Sequence, residues 1–277
     1  MKLPTITVIT VVYNRVHTIE QAISSVVNQT YPNLEYIIID GGSTDGTVDI
    51  IKKYESKIAY WVSEKDDGIY DAMNKGVRVA TGDYIEFLNS DDCFCSYDIL
   101  DRVAHEMDDG IDILSCGIYV VDEKYLLEWI VGNEFAIDKM NYCGGMIPHP
   151  GMFTKKKLLE KYPFDTTYKI AADYKFFLTC YFDGAVKFKY ISLPIVYFSN
   201  GGISSDDKMG KEAKEIKRYF GVRESVSTQG RIVILLKKIL GERLYMELHE
   251  RLWICIRNQF RSRHRCENKI CRWCGRK

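Results

Sequence analysis

The chain has 277 residues, 46% hydrophobic and 27% charged, with 38 Lys/Arg against 38 Asp/Glu. That is an ordinary globular composition, long enough for one large α/β domain with an appendage. Apolar runs stay far short of the ~20 residues that span a bilayer, which excludes a membrane-spanning helix, and Lys2 alone before strand-like residues is no secretory pattern. Nine cysteines, an odd number scattered through the chain, exclude a disulfide framework and point to reduced thiols in a cytoplasmic protein. The neutral total also hides an asymmetry. From Arg231 onward there are 13 Lys/Arg against four acidic residues, a charge of +9, which leaves 25 basic against 34 acidic residues, or −9, before it. An acidic body joined to a basic tail suggests two jobs.

In chain order, Thr5–Tyr13 is a β-branched run that predicts a strand, and Thr18–Gln29 has helical spacing with Ile19, Ile23, Val26 and Val27 on one side. Leu34–Asp40 reads as a buried strand, followed by the turn Gly41-Gly42-Ser43-Thr44, with Asp45 as cap of a helix through Tyr54. Strand Ile58–Val62, helix Ile69–Ala80, in which Asp71 is a second capping acid, and strand Asp83–Leu88 follow. Apolar strands separated by helices of 10–15 residues indicate a mostly parallel, Rossmann-like sheet with helices on both faces, and ligands of such sheets bind beyond the carboxyl ends of the strands. Beyond Cys93 the pattern loosens. It predicts a helix near Tyr97–Met107, strands near Asp112–Val121 and Tyr125–Val131, a glycine-bearing loop at Cys143-Gly144-Gly145, and a helix over Ala172–Phe182. Strands at Val186–Ser192 and Ile195–Phe198 precede a turn at Asn200-Gly201-Gly202 and a helix over Asp207–Phe220. The division expected is a catalytic domain over 1–221 and a helical basic segment over 222–277.

Acidic residues gather where this topology places strand ends. Asp40 closes the second strand, and Asn89-Ser90-Asp91-Asp92 closes the fourth. A carboxylate there can accept from the imide N–H of uracil, and a pair can hold a hard divalent cation that bridges substrate phosphates. Such a cation neutralises charge on a departing diphosphate. The alternative is turn forming and helix capping, which Asn, Ser and Asp also favour.

Four ordered motifs turn this into a resemblance. Thr10-Val11-Val12-Tyr13-Asn14, the block Asp40 to Thr47, the stretch Asp66-Asp67-Gly68-Ile69-Tyr70-Asp71-Ala72-Met73-Asn74-Lys75-Gly76, and Leu88-Asn89-Ser90-Asp91-Asp92 are together similar to family 2 glycosyltransferases over roughly residues 5–200. The resemblance implies a GT-A fold, a nucleotide-sugar donor carrying UDP or a related nucleotide, Mn²⁺ or Mg²⁺ as cofactor, and inversion at the anomeric carbon. It places Tyr13 and Asn14 beside the nucleoside, Asp40 at the base, Asp66, Asn74 and Lys75 along the donor pocket, and Asn89, Ser90 and Asp91 at the donor. Asp91 and Asp92 become the metal-proximal acids. Where the family often has Asp at the start of its Asp-x-Asp motif this chain has Asn89, which bears on the ribose contact. Ala171-Ala172-Asp173-Tyr174 resembles the family's second acidic motif, so Asp173 is the expected base that deprotonates the acceptor hydroxyl, with a helix cap as its alternative role. His149, in Pro148-His149-Pro150-Gly151, resembles a position near the acceptor entrance.

In the tail, Leu236, Leu240, Leu244, Leu248, Leu252 and Ile256 recur every four residues, flanked by Lys and Arg, with Trp253 and Phe260 as interfacial anchors and Gly241 as a break. A cationic amphipathic segment of this kind lies on anionic lipid, each basic residue contributing about 1 kcal/mol near the surface. Packing on the body or the seam of a homo-oligomer are its other uses. Cys266, Cys271 and Cys274 with His264 are a weak zinc set, compressed and without finger spacing. The expected acceptor is a saccharide or lipid-linked saccharide on the cytoplasmic face of the inner membrane, in cell-surface polysaccharide assembly. Two rivals stand. A regulator that kept the donor pocket is disfavoured by the presence of Asp91, Asp92 and Asp173. A nucleic-acid-binding module would use the tail and bind in a salt-sensitive way, and no nucleic-acid partner is expected. A Rossmann dehydrogenase is disfavoured because no Gly-x-Gly-x-x-Gly follows the first strand.

Overall fold

The computed structural model describes residues 3–122, 127–131, 149–200 and 207–222, together with 239, 241 and 262–263. Its centre is a run of four parallel strands: β1 (Ile6–Val12), β2 (Leu34–Asp40), β3 (Tyr60–Ser63) and β4 (Tyr84–Phe87). β1 is buried along its whole length because it lies between β2 and β4 and is covered on both faces. The chain passes from β1 to β2 to β3 on one side and places β4 on the other, so the strand order reverses at β1, the point where open α/β sheets bind ligands.

The connecting helices follow the apolar spacing. α1 (Ile19–Val27) buries Ile19, Ile23 and Val26, and with α2 (Thr47–Lys53) it covers one face. α3 (Ile69–Val79) buries Tyr70, Met73 and Val77 on the opposite face. Each such fully buried Ile, Val or Met side chain contributes roughly 1.5–3 kcal/mol by leaving water. α3 comes close to the sheet at Gly76, where a β-carbon would lie 2.7 Å from Ile9 Cγ2.

Past β4 come β5 (Cys93–Phe94), α4 (Ile99–Ala104), β6 (Ile113–Asp122) and β7 (Leu127–Val131). A short 3₁₀ turn, His149–Gly151, leads into β8 (Met152–Lys155), which inserts antiparallel between β4 and β6, and α5 (Lys156–Lys161) follows at once. The sequence reading had none of β5, β8 and α5. α6 (Ala172–Phe182) and α7 (Asp207–Tyr219) pack on the α3 face, α7 through the fully buried Ile216. β9 (Phe188–Asn200) is one strand parallel to β6, where two were expected around Pro194. The proline is absorbed by register shifts on either side of Gly117, which tolerate its missing N–H.

Asp45 and Asp71 do not occupy the N-cap positions expected of them. Those positions fall on Gly46 and Gly68, while Asp45 accepts from Thr47 N–H at 3.0 Å and Asp71 reaches back to Asp67 N–H at 3.2 Å. The acids thus serve the helix starts from neighbouring positions.

Of the basic segment, Ser262–Arg263 (β10) pairs antiparallel with Leu127–Glu128 of β7. The leucine stripe, Trp253, Phe260 and the set Cys266, Cys271, Cys274 and His264 lie outside the described residues, as does the loop Cys143-Gly144-Gly145. No helix among the described residues is long and apolar enough to cross a membrane.

Candidate active site

The carboxyl ends of the parallel strands are in register. Val12 stands opposite Asp40, and Asp40 opposite Ser63, so one edge of the sheet collects the residues that follow each strand. Asp40 is fully buried there and is satisfied from within. Its Oδ2 accepts from Gly42 N–H at 3.1 Å, Ser43 N–H at 2.8 Å and Ser63 Oγ at 2.6 Å, and its Oδ1 accepts from Ser43 Oγ at 2.5 Å. Four donors match the lone-pair capacity of a carboxylate. Asn14 is the one non-glycine residue with positive φ among the described residues, at 51°. The strain is held by two bonds to the neighbouring loop, Asn14 N–H to Ser43 Oγ at 2.7 Å and Thr44 N–H to Asn14 Oδ1 at 2.9 Å. Tyr13 beside it stands out into solvent, 60% exposed.

Asp66 lies directly over Gly41, where a β-carbon would meet its Oδ2 at 2.5 Å and push that carboxylate aside. Lys75 Nζ pairs with Glu64 at 3.0 Å and Asp71 at 3.4 Å and donates to Lys65 O at 3.2 Å, which draws α3 to the 64–66 loop. Glu64 first, then Asp71, raise the Lys75 ammonium above its ordinary value. Asn74 is committed elsewhere. Its amide donates to Phe164 O at 2.8 Å and accepts from Phe164 N–H at 3.0 Å, fixing an aromatic side chain that packs on Tyr70, Phe87 and Phe176.

Beyond β4 the two adjacent acids separate. Asp91 is partly exposed, whereas Asp92 is 1% exposed and accepts from Ser199 N–H at 3.0 Å and Asn89 Nδ2 at 3.2 Å. Ser90, just before them, is buried, and Asn89 Oδ1 is buried without a hydrogen-bond partner among the described residues. Deeper in β4, Glu86 is fully buried with both oxygens unpartnered. Burial, then the charge of Asp92, pushes its carboxyl well above the usual glutamate range.

Asp173 occupies the second position of α6, and the N-cap is Ala171. Its Oδ1 accepts from Tyr174 N–H and from the Tyr70 hydroxyl, both at 2.9 Å, and Oδ2 accepts no hydrogen bond among the described residues. The Tyr70 hydroxyl also lies 2.6 Å from Ile170 O, so its single proton faces two acceptors. Burial raises the Asp173 carboxyl above its ordinary value, opposed by the field of His149 and by Tyr70. His149 is 8% exposed, stacks on Phe87 at 5.7 Å, and leaves Nε2 without a partner. Burial holds its imidazole below the ordinary value, against the opposing pull of the Asp173 charge.

The structure thus brings Asp173, His149 and Tyr70 together, and groups Tyr13, Asn14, Asp40, Asp66 and Lys75 on the strand ends. Sequence reasoning missed Tyr70, although it lies inside the quoted Asp66–Gly76 stretch. It also missed Glu212 of α7, whose carboxylate binds the backbone before Asp173 and carries no motif of its own.

Residues 7–175 match the family model described as Glycosyl transferase family 2. An uncharacterised glycosyltransferase of Mycobacterium tuberculosis is 33% identical over 178 residues, 63% of this chain and 68% of that protein. A PGL/p-HBAD biosynthesis glycosyltransferase of Mycobacterium bovis is 29% identical over 221 residues, 76% and 83% of the two chains. Among solved structures, residues 1–349 of S. aureus TarS in complex with UDP-GlcNAc superpose with a TM-score of 0.61 at 20% identity, covering 85% of this chain and 71% of that one. The present chain spans 42% of a longer TarS chain. Glucosyl-3-phosphoglycerate synthase from Mycobacterium tuberculosis, with Mn²⁺, UDP and phosphoglyceric acid, gives 0.56 at 18% identity over 80% and 81% of the chains. With its motifs on the strand ends and its sheet reversing at β1, the chain belongs to glycosyltransferase family 2 and has the GT-A fold.

Proposed function

We propose that this glycosyltransferase moves a sugar from a UDP-sugar to a hydroxyl of a saccharide or lipid-linked saccharide, with inversion, and that Asp173 is the base. The observation that carries the reading is the Asp173 carboxylate, held through Oδ1 by Tyr70 and Tyr174 with Oδ2 left to take a proton. Tyr13 and Asn14 flank the nucleoside in this reading. Asp40 acts at the base end through the 41–43 loop it organises, and Asp66 and Lys75 line the diphosphate side. Asn74 supports that wall from behind through Phe164. A hydroxyl in line with the anomeric carbon gives its proton to Asp173 as it attacks, and the nucleoside diphosphate leaves from the opposite face. His149 Nε2 is the remaining partner for an acceptor or sugar hydroxyl.

The residues after β4 offer oxygen donors to a divalent cation, although no three His, Cys, Asp or Glu side chains converge on one point among the described residues. Asn89 Oδ1 and Asp91 are hard oxygen donors at one strand end, one of them buried without a partner, and Mn²⁺ or Mg²⁺ completes its shell with water and phosphate oxygens. When bound, the ion stabilises negative charge on the leaving diphosphate. Asp92 supports it by fixing the turn to Ser199. The neighbours solved with UDP-GlcNAc and with UDP and Mn²⁺ support the uridine and metal assignments by analogy.

The +9 segment after residue 230 supports docking on an anionic membrane surface, which would bring a lipid-linked acceptor within reach. A panel of nucleotide sugars with Mn²⁺ tests the donor reading through thermal unfolding. A donor at a hundred times its Kd adds about 2.7 kcal/mol of stability. UDP-sugars should protect and GDP-mannose should not. The reverse order discards the uridine assignment.

A further inference from the structure

The backbone that leads into α6 is not capped from its own helix. Ala171 at the N-cap offers no side-chain bond, yet the first amides of a helix need acceptors. The three amides that lead up to and include the N-cap find theirs on a different helix. Glu212 of α7 accepts from Lys169 N–H on Oε1 at 2.9 Å, and from Ile170 N–H and Ala171 N–H on Oε2, each at 2.9 Å. Three charge-assisted bonds on one carboxylate, at the positive end of a helix, make a stiff anchor. α7 is itself seated by Ile216, fully buried on the α3 face, and by Tyr168, whose hydroxyl lies 3.3 Å from Glu215.

What this anchor holds is the mount of the proposed base. Ile170 is gripped on both sides, its N–H by Glu212 and its carbonyl by the Tyr70 hydroxyl, and that same hydroxyl touches Asp173 Oδ1. Asp173 lies two residues beyond the anchored segment. We propose that Glu212 is a positioning residue for Asp173, acting through the backbone of residues 169–171 and the Tyr70 hydroxyl. The proposal rests on the reading of Asp173 as the base. Without the carboxylate, three amides turn to other partners, the first turn of α6 relaxes, and the base loses its aim. A misplacement of about 1 Å at a reacting group costs on the order of a hundredfold in rate.

The test uses the full chain, its Glu212→Ala, Glu212→Gln and Asp173→Asn variants, and the Glu212→Ala/Asp173→Asn double variant. UDP release from UDP-N-acetylglucosamine with Mn²⁺ is followed beside amide hydrogen exchange at residues 169–171. In Glu212→Ala the three amides should exchange at least about tenfold faster. Turnover should fall roughly 10–100-fold, with the donor KM within about twofold. Glu212→Gln keeps an oxygen able to accept two amides and should recover part of both losses. In the Asp173→Asn background, Glu212→Ala should cost no further turnover, since residues acting as a unit are not additive. A mere contribution to folding would lower the melting temperature and leave turnover per folded molecule and the double variant's additivity untouched. Unchanged exchange at 169–171 overturns the proposal whatever the turnover. A crippled Asp173→Asn beside an unimpaired Glu212→Ala overturns the positioning role alone, whereas near-normal turnover of Asp173→Asn removes the base reading and this proposal with it.

Discussion

Around the ends of β1, β2 and β3, polar side chains are committed to the protein, while around the end of β4 and at His149 several are left over. Asp40 takes four internal donors, Asn14 is stitched to the 43–44 loop, and Asp45 accepts from Val16 and Thr47. By contrast, Asn89 Oδ1 and His149 Nε2 are buried and unpartnered, and Asp173 keeps an open oxygen. Each orphaned buried polar group costs about 1–3 kcal/mol, and such groups are rare in folded proteins. One half of the site is therefore a finished cradle that offers shape and backbone, and the other holds polar capacity for something that arrives.

That contrast can be broken most directly at Asp173. Asp173→Asn preserves size and should leave the melting temperature and donor affinity near wild type, while turnover falls about 10²–10⁴-fold. The pH dependence of the wild type sharpens the point. A base must be ionised, and burial raises this carboxyl, so kcat/KM should rise with pH through an acid limb above the ordinary carboxylate range. Loss of that limb in no variant, or normal turnover in Asp173→Asn, would place the base elsewhere.

Next in size is Asp91→Asn, expected to weaken Mn²⁺-dependent donor binding and to cost turnover about 10²–10³-fold with the fold intact, in line with other lost electrostatic stabilisers. Metal titrations of donor binding check it; an unchanged Mn²⁺ requirement removes Asp91 from the site.

On the finished half, the same kind of change should act on stability. Asp40→Ala strips acceptors from Gly42 and Ser43 and should cost about 2–4 kcal/mol in denaturant unfolding. A stable Asp40→Ala that has lost only uridine affinity would reassign Asp40 to direct base contact.

The smallest effect is expected at Glu86. Its folded carboxyl is raised above its unfolded value, so its contribution to stability is full below the ordinary glutamate pKa and is lost as pH rises toward the folded value. Glu86→Gln should remove that slope and gain stability relative to the wild type as pH rises from 5 to 8. Melting temperatures from pH 5 to 8 decide this, and parallel curves for the two proteins would mean that Glu86 has found a partner.

The parallel sheet was legible because its inner strands are buried and read as apolar runs: Ile6–Val12 is β-branched throughout, and Leu34–Asp40 carries Ile37-Ile38-Ile39. β8 was not, since Met152–Lys155 is four residues long, has Lys156 directly behind it, and owes its place to pairing with Ile85 and Leu114, far away in the chain. β9 was split because Pro194 is a local breaker, while the bulge that admits it lies on β6. In the candidate site, motifs and strand ends mark Asp40, Asp91 and Asp173 in the sequence itself. The motifs could not say that Asp92 and Asn74 turn toward Ser199 and Phe164, over 107 and 90 residues of sequence. Tyr70 stands in the sequence only as one member of the Asp66–Gly76 stretch; its hydroxyl partner lies 103 residues on.

The Tyr70 hydroxyl carries one hydrogen between Ile170 O and Asp173 Oδ1. An ionised Asp173 attracts that hydrogen more strongly than a carbonyl does, and a protonated one releases it to the carbonyl. Tyr70 is then a gauge of the charge state next door, written into the backbone. On the reading of Asp173 as the base, each proton it captures would tighten the Tyr70–Ile170 bond at the mouth of α6 and each proton lost would slacken it, so the stiffness of that segment would follow the reaction without any change of fold.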